Sequence, residues 1–217
     1  MKAAIIIHLK AKSTRLKNKN FKKILNKPLY KITFDKIKKL RGIFDIYIDS
    51  SSSVFEKEAI KYKFNFIKRP THLNKANAQG NELIENCLKF IDNEIIFILH
   101  VTNPFIKIST IKKSVNILKK NKKINSVTPL TALFDRFWFK KQAVNHKYNK
   151  LIGSQYLTPL HVEAGSYCFR KKAFLKEKSR ISKKNFFIYL DKLESVDIDN
   201  EIDFIFAETL IKKYNIQ

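Results

Sequence analysis

An α/β fold, with a mostly parallel sheet and helices on both faces, is what the sequence predicts, on three observations. Short apolar runs rich in Ile, Val and Phe alternate with stretches of helical periodicity, the pattern of βαβ units. The run Ile95–Val101 is almost wholly apolar, as a central strand covered on both faces must be. Beyond Pro129 the rhythm shifts to shorter runs, which predicts a small, partly antiparallel insertion. With 217 residues, 44% of them hydrophobic, and with 18 Phe and 8 Tyr, the chain can bury a sizeable core as one domain; disorder and a disulfide scaffold are excluded.

The first strand is Ala3–His8. Pro28 opens a helical pattern through Leu29, Ile32, Phe34, Ile37 and Leu40, which stops at Gly42 as a C-cap. Strand Ile43–Ile48, helix Val54–Lys63 and strand Phe64–Ile67 follow, then a loop through Gln79 and helix Asn81–Ile91. After the central strand come helix Ile108–Lys120 and strand Ser126–Leu130, which complete a doubly wound core. Phe134–Phe139, Gly165–Phe169 and Phe186–Leu190 read as short, partly antiparallel strands, and helix Ile202–Tyr214 ends the pattern. Cys87 and Cys168, each alone in an apolar run, read as buried thiols of a reducing compartment. No stretch is apolar for long enough to span a membrane or to serve as a signal segment, so a cytoplasmic protein is expected.

A net charge of +25 suggests a polyanionic partner such as nucleic acid or an anionic membrane surface. Three facts weigh against that. Only six of the 44 basic residues are arginines, whereas specific base or phosphate recognition favours Arg forks. Lys, Ile, Asn and Phe, all abundant here, share A/T-rich codons, so genome composition accounts for much of the lysine. The densest cluster, Lys112, Lys113, Lys119, Lys120, Lys122 and Lys123, lies on or just after an amphipathic helix, where it reads as a solvated face. No nucleic-acid or membrane partner is therefore expected.

In open α/β sheets ligands bind beyond the carboxyl ends of the strands, which directs attention to the loop after the first strand. That loop, Leu9 to Asn20, lacks glycine and is neither a dinucleotide-binding nor a Walker A loop. It presents Lys10, Ser13, Arg15 and Lys19 close together, enough cationic and hydroxyl donors to hold a triphosphate. A solvated lysine-rich turn has the same composition. Near the end of the chain, Asp197 and Asp199 stand two apart; on a strand they would share a face and offer oxygen ligands to Mg²⁺. Their alternative use is strand-end solvation or, for Asp199 with Asn200, capping of the last helix; Asp203 fits a first-turn role.

The order of these residues resembles the acylneuraminate cytidylyltransferase family, the CMP-sialic acid synthetases and their relatives. An apolar strand is followed by Lys10, Ser13, Arg15, Leu16, Lys19 and Asn20 and then by Asn26-Lys27-Pro28-Leu29. Lys68-Arg69-Pro70, Gly80-Asn81-Glu82 and the strand end Leu99-His100-Val101-Thr102-Asn103-Pro104 continue the likeness. So do the stretch from Gln155 to Gly165-Ser166-Tyr167, the segment Val196-Asp197-Ile198-Asp199-Asn200-Glu201-Ile202-Asp203, and Ala207-Glu208 in the last helix. The chain departs from the family at Ala11 and Lys12, where relatives carry glycines, and at Asp49-Ser50, where many have Thr-Asp. It departs again at His100 for Gln, and at Val162 and Ala164 on the acceptor-sugar side.

The resemblance implies a Rossmann-like nucleotidyltransferase fold over residues 1–217, with a dimerisation or acceptor-side insertion over about 131–165. It implies an enzyme that joins CTP to a nonulosonic acid, giving a CMP-sugar and pyrophosphate for surface glycan synthesis, with Mg²⁺ as cofactor and a homodimer as assembly. Lys10, Ser13, Arg15 and Lys19 are expected on the triphosphate, with Asn20 beside the nucleotide, and Lys10, Arg15, Lys19 and Asp199 carry the catalytic expectation. Arg69, His100, Thr102 and Gln155 are expected around nucleoside and acceptor, and Asp197 and Asp199 on the metal. Another acceptor, such as 3-deoxy-manno-octulosonate, is the alternative, supported by the run Ser13-Thr14-Arg15-Leu16. A basic nucleic-acid-binding domain and a relative that binds nucleotide without turnover are the remaining readings.

Overall fold

A computed structural model describes residues 2–13, 16–75 and 77–214. Strand β1 (Ala3–His8) sends Ala3, Ile5 and Ile7 to one face and Ala4 and Ile6 to the other, the period of two that a strand covered on both sides requires. A two-residue ribbon, β2 (Lys23–Ile24) with β3 (Lys27–Pro28), leads into α1 (Leu29–Ile37), then β4 (Phe44–Ser50), α2 (Ser53–Tyr62) and β5 (Asn65–Lys68). Helix α3 (Gly80–Cys87), β6 (Ile95–Ile98), α4 (Ile108–Lys120) and β7 (Ser126–Leu133) follow. A small hairpin of β8 (Trp138–Phe139) and β9 (Gln142–Ala143) precedes β10 (Leu160–Glu163), β11 (Tyr167–Arg170), α5 (Lys171–Glu177), β12 (Asn185–Leu190) and α6 (Glu201–Tyr214).

Eight strands form one sheet in the order β10-β7-β11-β6-β1-β4-β5, with β12 on β7. Its centre is parallel, β6 to β1 to β4 to β5, while β10 and β11 are antiparallel to their neighbours. Helices α1, α2 and α4 pack on one face with Phe34, Phe55, Ile111 and Leu118, and α3 and α5 cover the other with Ile84, Cys87 and Phe174. The prediction of a largely parallel sheet with helices on both faces and a small antiparallel portion therefore holds. The six clustered lysines of and after α4 are all exposed, while Ile111, Val115 and Leu118 of the same helix are buried. Both cysteines are buried and unpaired, and burial pushes both thiols up from their ordinary pKa. Among the described residues no helix is long and apolar enough to cross a membrane.

Three expectations are corrected. The pattern Phe134–Phe139 yields only Trp138–Phe139, in a hairpin outside the main sheet, with both rings exposed. The segment Phe186–Leu190 is a strand, but parallel to β7, because the chain crosses over through α5 before returning. Gly42 does not take the left-handed cap conformation; α1 instead tightens into a 3₁₀ turn, Lys38–Leu40, before the chain turns to β4.

Candidate active site

Beyond the carboxyl ends of β1, β5 and β6 lies a cleft of about 740 Å³, where the open-sheet rule places ligands. Lys10, Ser13, Lys19, Asn20, Arg69, His100, Thr102, Asp197 and Asp199 all line it. Arg15 lies outside the described residues. Gln155 is not among the lining residues: it sits exposed on a 3₁₀ turn, Ser154–Tyr156, with its amide folded back over Gly153.

The first wall is the segment after β1. Asn18 adopts a left-handed conformation, φ 52°, that turns the chain into the 3₁₀ turn Lys19–Phe21. Phe21 anchors that turn by stacking on Phe55 at 5.1 Å and meeting the edge of Tyr30 at 5.8 Å. The buried Asn20 amide donates to the Lys10 carbonyl at 2.8 Å, so its observed work is to brace the loop. Lys10 itself is partly buried; burial, and then the charge of Arg69, hold its ammonium below the ordinary lysine pKa.

The second wall carries the two aspartates. Residues 196–199 form no strand, which corrects the expected strand placement. The alternation survives because Ile198 is fully buried among Leu16, Ile24, Leu29, Phe105 and Phe204, so that its neighbours Asp197 and Asp199 turn to the cleft. The Ile198 amide donates to the Thr102 carbonyl at 2.8 Å, which gives Thr102 a backbone role at the end of the β6 segment. Lys19 Nζ closes the two walls, donating to the Ile198 carbonyl at 2.6 Å and to Asp199 Oδ1 at 3.2 Å. Asp203 accepts from the amides of Asp199 and Asn200 at 2.9 and 3.0 Å, while the Asn200 side chain accepts from the Asp203 amide. This reciprocal cap of Asn200 and Asp203 starts α6.

Of the floor, Arg69 was expected from the sequence, whereas its partners His8 and Asp49 were not. Parallel register sets His8 of β1 beside Asp49 of β4, and His8 Nδ1 lies 2.7 Å from Asp49 Oδ2. Arg69, 2% exposed, donates from Nε and Nη2 to the same oxygen at 2.9 and 2.6 Å and also to the Asp49 carbonyl. Burial would raise the Asp49 carboxyl; the bonds from His8 and Arg69 outweigh it and hold the group below its ordinary pKa. Cys87 lies within 4.8 Å of both His8 and Asp49, yet Arg69 already neutralises the carboxylate and burial keeps the thiol protonated. The cluster is an anchor that fixes Arg69 and His8 toward the cleft; Arg69 Nη1 and His8 Nε2 have no partner among the described residues. His100 lines the cleft, its pKa pushed down to about 4 by burial and then by the charges of His8, Arg180 and Lys19, so it is a neutral imidazole at neutral pH. Arg180, between α5 and β12, also lines the cleft and carries no sequence signal.

Mg²⁺ fits the donor set: two carboxylates face the cleft from one rigidly seated segment, and oxygen ligands suit a hard cation.

Residues 4–213 match the family model described as Cytidylyltransferase. The chain is 25% identical over 230 residues to an N-acylneuraminate cytidylyltransferase of Escherichia coli O18:K1:H7, covering 100% of this chain and 54% of that protein. It thus spans about half the length of that relative. It is 24% identical to the post-translational flagellin modification protein B of Campylobacter coli, covering 94% of this chain and 93% of the other. Among solved structures it superposes on a CMP:2-keto-3-deoxy-manno-octonic acid synthetase complexed with CTP, with a TM-score of 0.73 and 13% identity over 99% of this chain and 100% of that one. That likeness shows a Rossmann-like nucleotidyltransferase fold.

Proposed function

The chain belongs to the cytidylyltransferase family, and from that premise we propose that it joins CTP to a nonulosonic, sialic-acid-like sugar acid, giving a CMP-sugar and pyrophosphate. The observation that carries this reading is the cleft itself: Lys10, Ser13 and Lys19 on one segment and Asp197 and Asp199 on another meet at the carboxyl end of the sheet. The name of the Escherichia coli relative supports a sialic acid as acceptor, and the flagellin-modification relative supports surface glycosylation as the destination. Such a role places the enzyme in the cytoplasm, where CTP is made.

The reaction is attack of the sugar's anomeric hydroxyl on the α-phosphorus of CTP, with pyrophosphate leaving. It asks the protein chiefly for position and charge. Lys10, held by its contact with the Lys75 carbonyl at 3.3 Å, offers an ammonium to the triphosphate, and Ser13 a hydroxyl. Lys19, tied to Ile198 and Asp199, keeps the phosphate-binding loop against the aspartate segment, so that both act on one ligand. Arg69, fixed by Asp49, presents N–H donors to the nucleoside, and His8, whose Nδ1 donates to Asp49, turns its Nε2 to the same space. His100, neutral and in the place of a common glutamine, can donate or accept toward nucleoside or acceptor. Asp197 and Asp199 would hold Mg²⁺, which when bound neutralises phosphate charge and lowers the pKa of a coordinated hydroxyl. Residues 131–165, whose Trp138, Phe139 and Tyr156 are exposed, would dock a second copy, making a homodimer.

An octulosonic acid acceptor is the second reading, favoured by the structural likeness to the octonic acid synthetase and by Ser13-Thr14-Arg15-Leu16. Pyrophosphate release tests both: CTP, ATP, GTP and UTP are offered singly with Mg²⁺ against a panel of nonulosonic and octulosonic acids. Release with CTP and a nonulosonic acid alone is expected. Release only with 3-deoxy-manno-octulosonate supports the second reading, and release with no pair contradicts both.

A further inference from the structure

Of the cations lining the cleft, Arg69 is committed to Asp49 and Lys19 to Asp199 and the Ile198 carbonyl. Arg180, like Lys10 and Lys12 of the same lining, has no described carboxylate partner, and of these three it alone carries a planar guanidinium fork. Two features hold it there. Its guanidinium stacks on the ring of Tyr167, 4.1 Å from the centroid, and the Tyr167 hydroxyl is in turn fixed by donating to Glu163 at 2.6 Å. Gly80, at the start of α3, has no side chain, and a Cβ there would lie 2.6 Å from Arg180 Nη1. Gly80 has no positive φ, so what the glycine supplies here is space for the guanidinium.

An unneutralised, partly buried guanidinium with a planar fork is matched to a carboxylate. In a 2-keto sugar acid the carboxylate and the attacking hydroxyl share one carbon, so the carboxylate must come within a few bonds of the triphosphate. Two anions brought that close repel, and a cation separate from those on the phosphates is needed at that place. We propose that Arg180 is a specificity-determining residue that takes the carboxylate of the acceptor, seated by Tyr167 and Gly80. This rests on the sugar-acid reading above and adds to it the group that selects acids over neutral sugars. Arg180 arises from the irregular segment between α5 and β12, outside every motif by which the family resemblance is carried.

The test is steady-state kinetics of wild type, Arg180→Ala, Arg180→Lys and Gly80→Ala, with the acid varied at saturating CTP and CTP varied at saturating acid. The acceptors are the accepted acid and its C1 methyl ester. In Arg180→Ala the KM for the acid should rise roughly ten- to a hundredfold with the KM for CTP nearly unchanged, the size of one charge-assisted bidentate contact. The preference of wild type for acid over ester should disappear. Arg180→Lys, which keeps the charge without the fork, should fall between, and Gly80→Ala, which displaces the guanidinium, should move in the same direction. An unchanged KM for the acid, or an equal rise for CTP, overturns the role of Arg180 alone. A wild-type protein that binds CTP by calorimetry but neither turns over nor binds any acid of the panel overturns the sugar-acid reading and this proposal together.

Discussion

A fully buried carboxylate at position 49 holds an imidazole and a guanidinium at once, and this sets the floor of the cleft. Asp49→Ala leaves Arg69 buried without its counter-charge and should cost about 3–5 kcal/mol in urea unfolding, far above a surface substitution. Because the folded-state pKa of Asp49 is depressed, its stabilisation is complete above the ordinary carboxylate range and is lost as pH falls through the lowered value. His100 has the same sign: held neutral with a pKa of about 4 against an ordinary 6.5, it favours the folded state fully above 6.5 and progressively less as pH falls toward 4. Urea midpoints across that window should drop for wild type and drop less for His100→Gln; identical profiles would contradict the assignment. On the other wall, Asp199→Ala should lower pyrophosphate release by about a hundredfold or more while the melting temperature stays close to wild type. Lys10, Ser13, Lys19, Asp197 and Asp199 were legible in the sequence because each lies within a run of a few residues. His8 and Asp49 were not, since only the pairing of β1 with β4 brings residues 41 positions apart to 2.7 Å. Arg180 has no local pattern and depends on Tyr167 and Gly80 from two other elements.

The shape of the cleft depends on where strands stop. β10 and β11 lie end to end along one edge of β7, interrupted at residues 164–166, and Gly165 at φ 65° makes the break beside Asp197 and Asn103. Gly165→Ala should destabilise by about 1–2 kcal/mol, the cost of a left-handed L-residue, measurable by chemical unfolding. A neutral result would mean that the backbone relaxes there without penalty. Pro129 falls in the gap between the two pairings, where the missing N–H costs no ladder bond on that side. Elements with strong period and clear ends were readable: β1 and Ile108–Lys120 match their predicted bounds, because an apolar alternation or stripe ends at lysines and asparagines. The strand Leu160–Glu163 and the helix Lys171–Glu177 were missed, being too short for periodicity to separate them from loop. The parallel sense of β12 was missed because it follows from the crossover and not from its own residues.

For the whole molecule, the charge of +25 is spread along the chain, and the arm outside the main sheet, within residues 131–165, carries apolar residues that no described residue covers. Trp138 is 57% exposed and Tyr156 74% exposed. If this arm docks a second copy, sedimentation equilibrium should report a dimer, and Trp138→Ser with Tyr156→Ser should shift it to monomer with the melting temperature retained; a wild-type monomer would contradict the arrangement. The fold as a whole was legible since the alternation of elements runs the length of the chain, whereas the acceptor depends on cleft residues drawn from distant segments. The reaction proposed for this cleft is cytidylyl transfer to a sugar acid. The most direct measurement is mass-spectrometric identification of the product formed from CTP, Mg²⁺ and N-acetylneuraminic, legionaminic or 3-deoxy-manno-octulosonic acid, with pyrophosphate quantified in the same reaction. One CMP-linked sugar per pyrophosphate, absent with Asp199→Ala, is the predicted result; CTP left intact with every acid, or broken down to CMP without a sugar attached, would contradict the account.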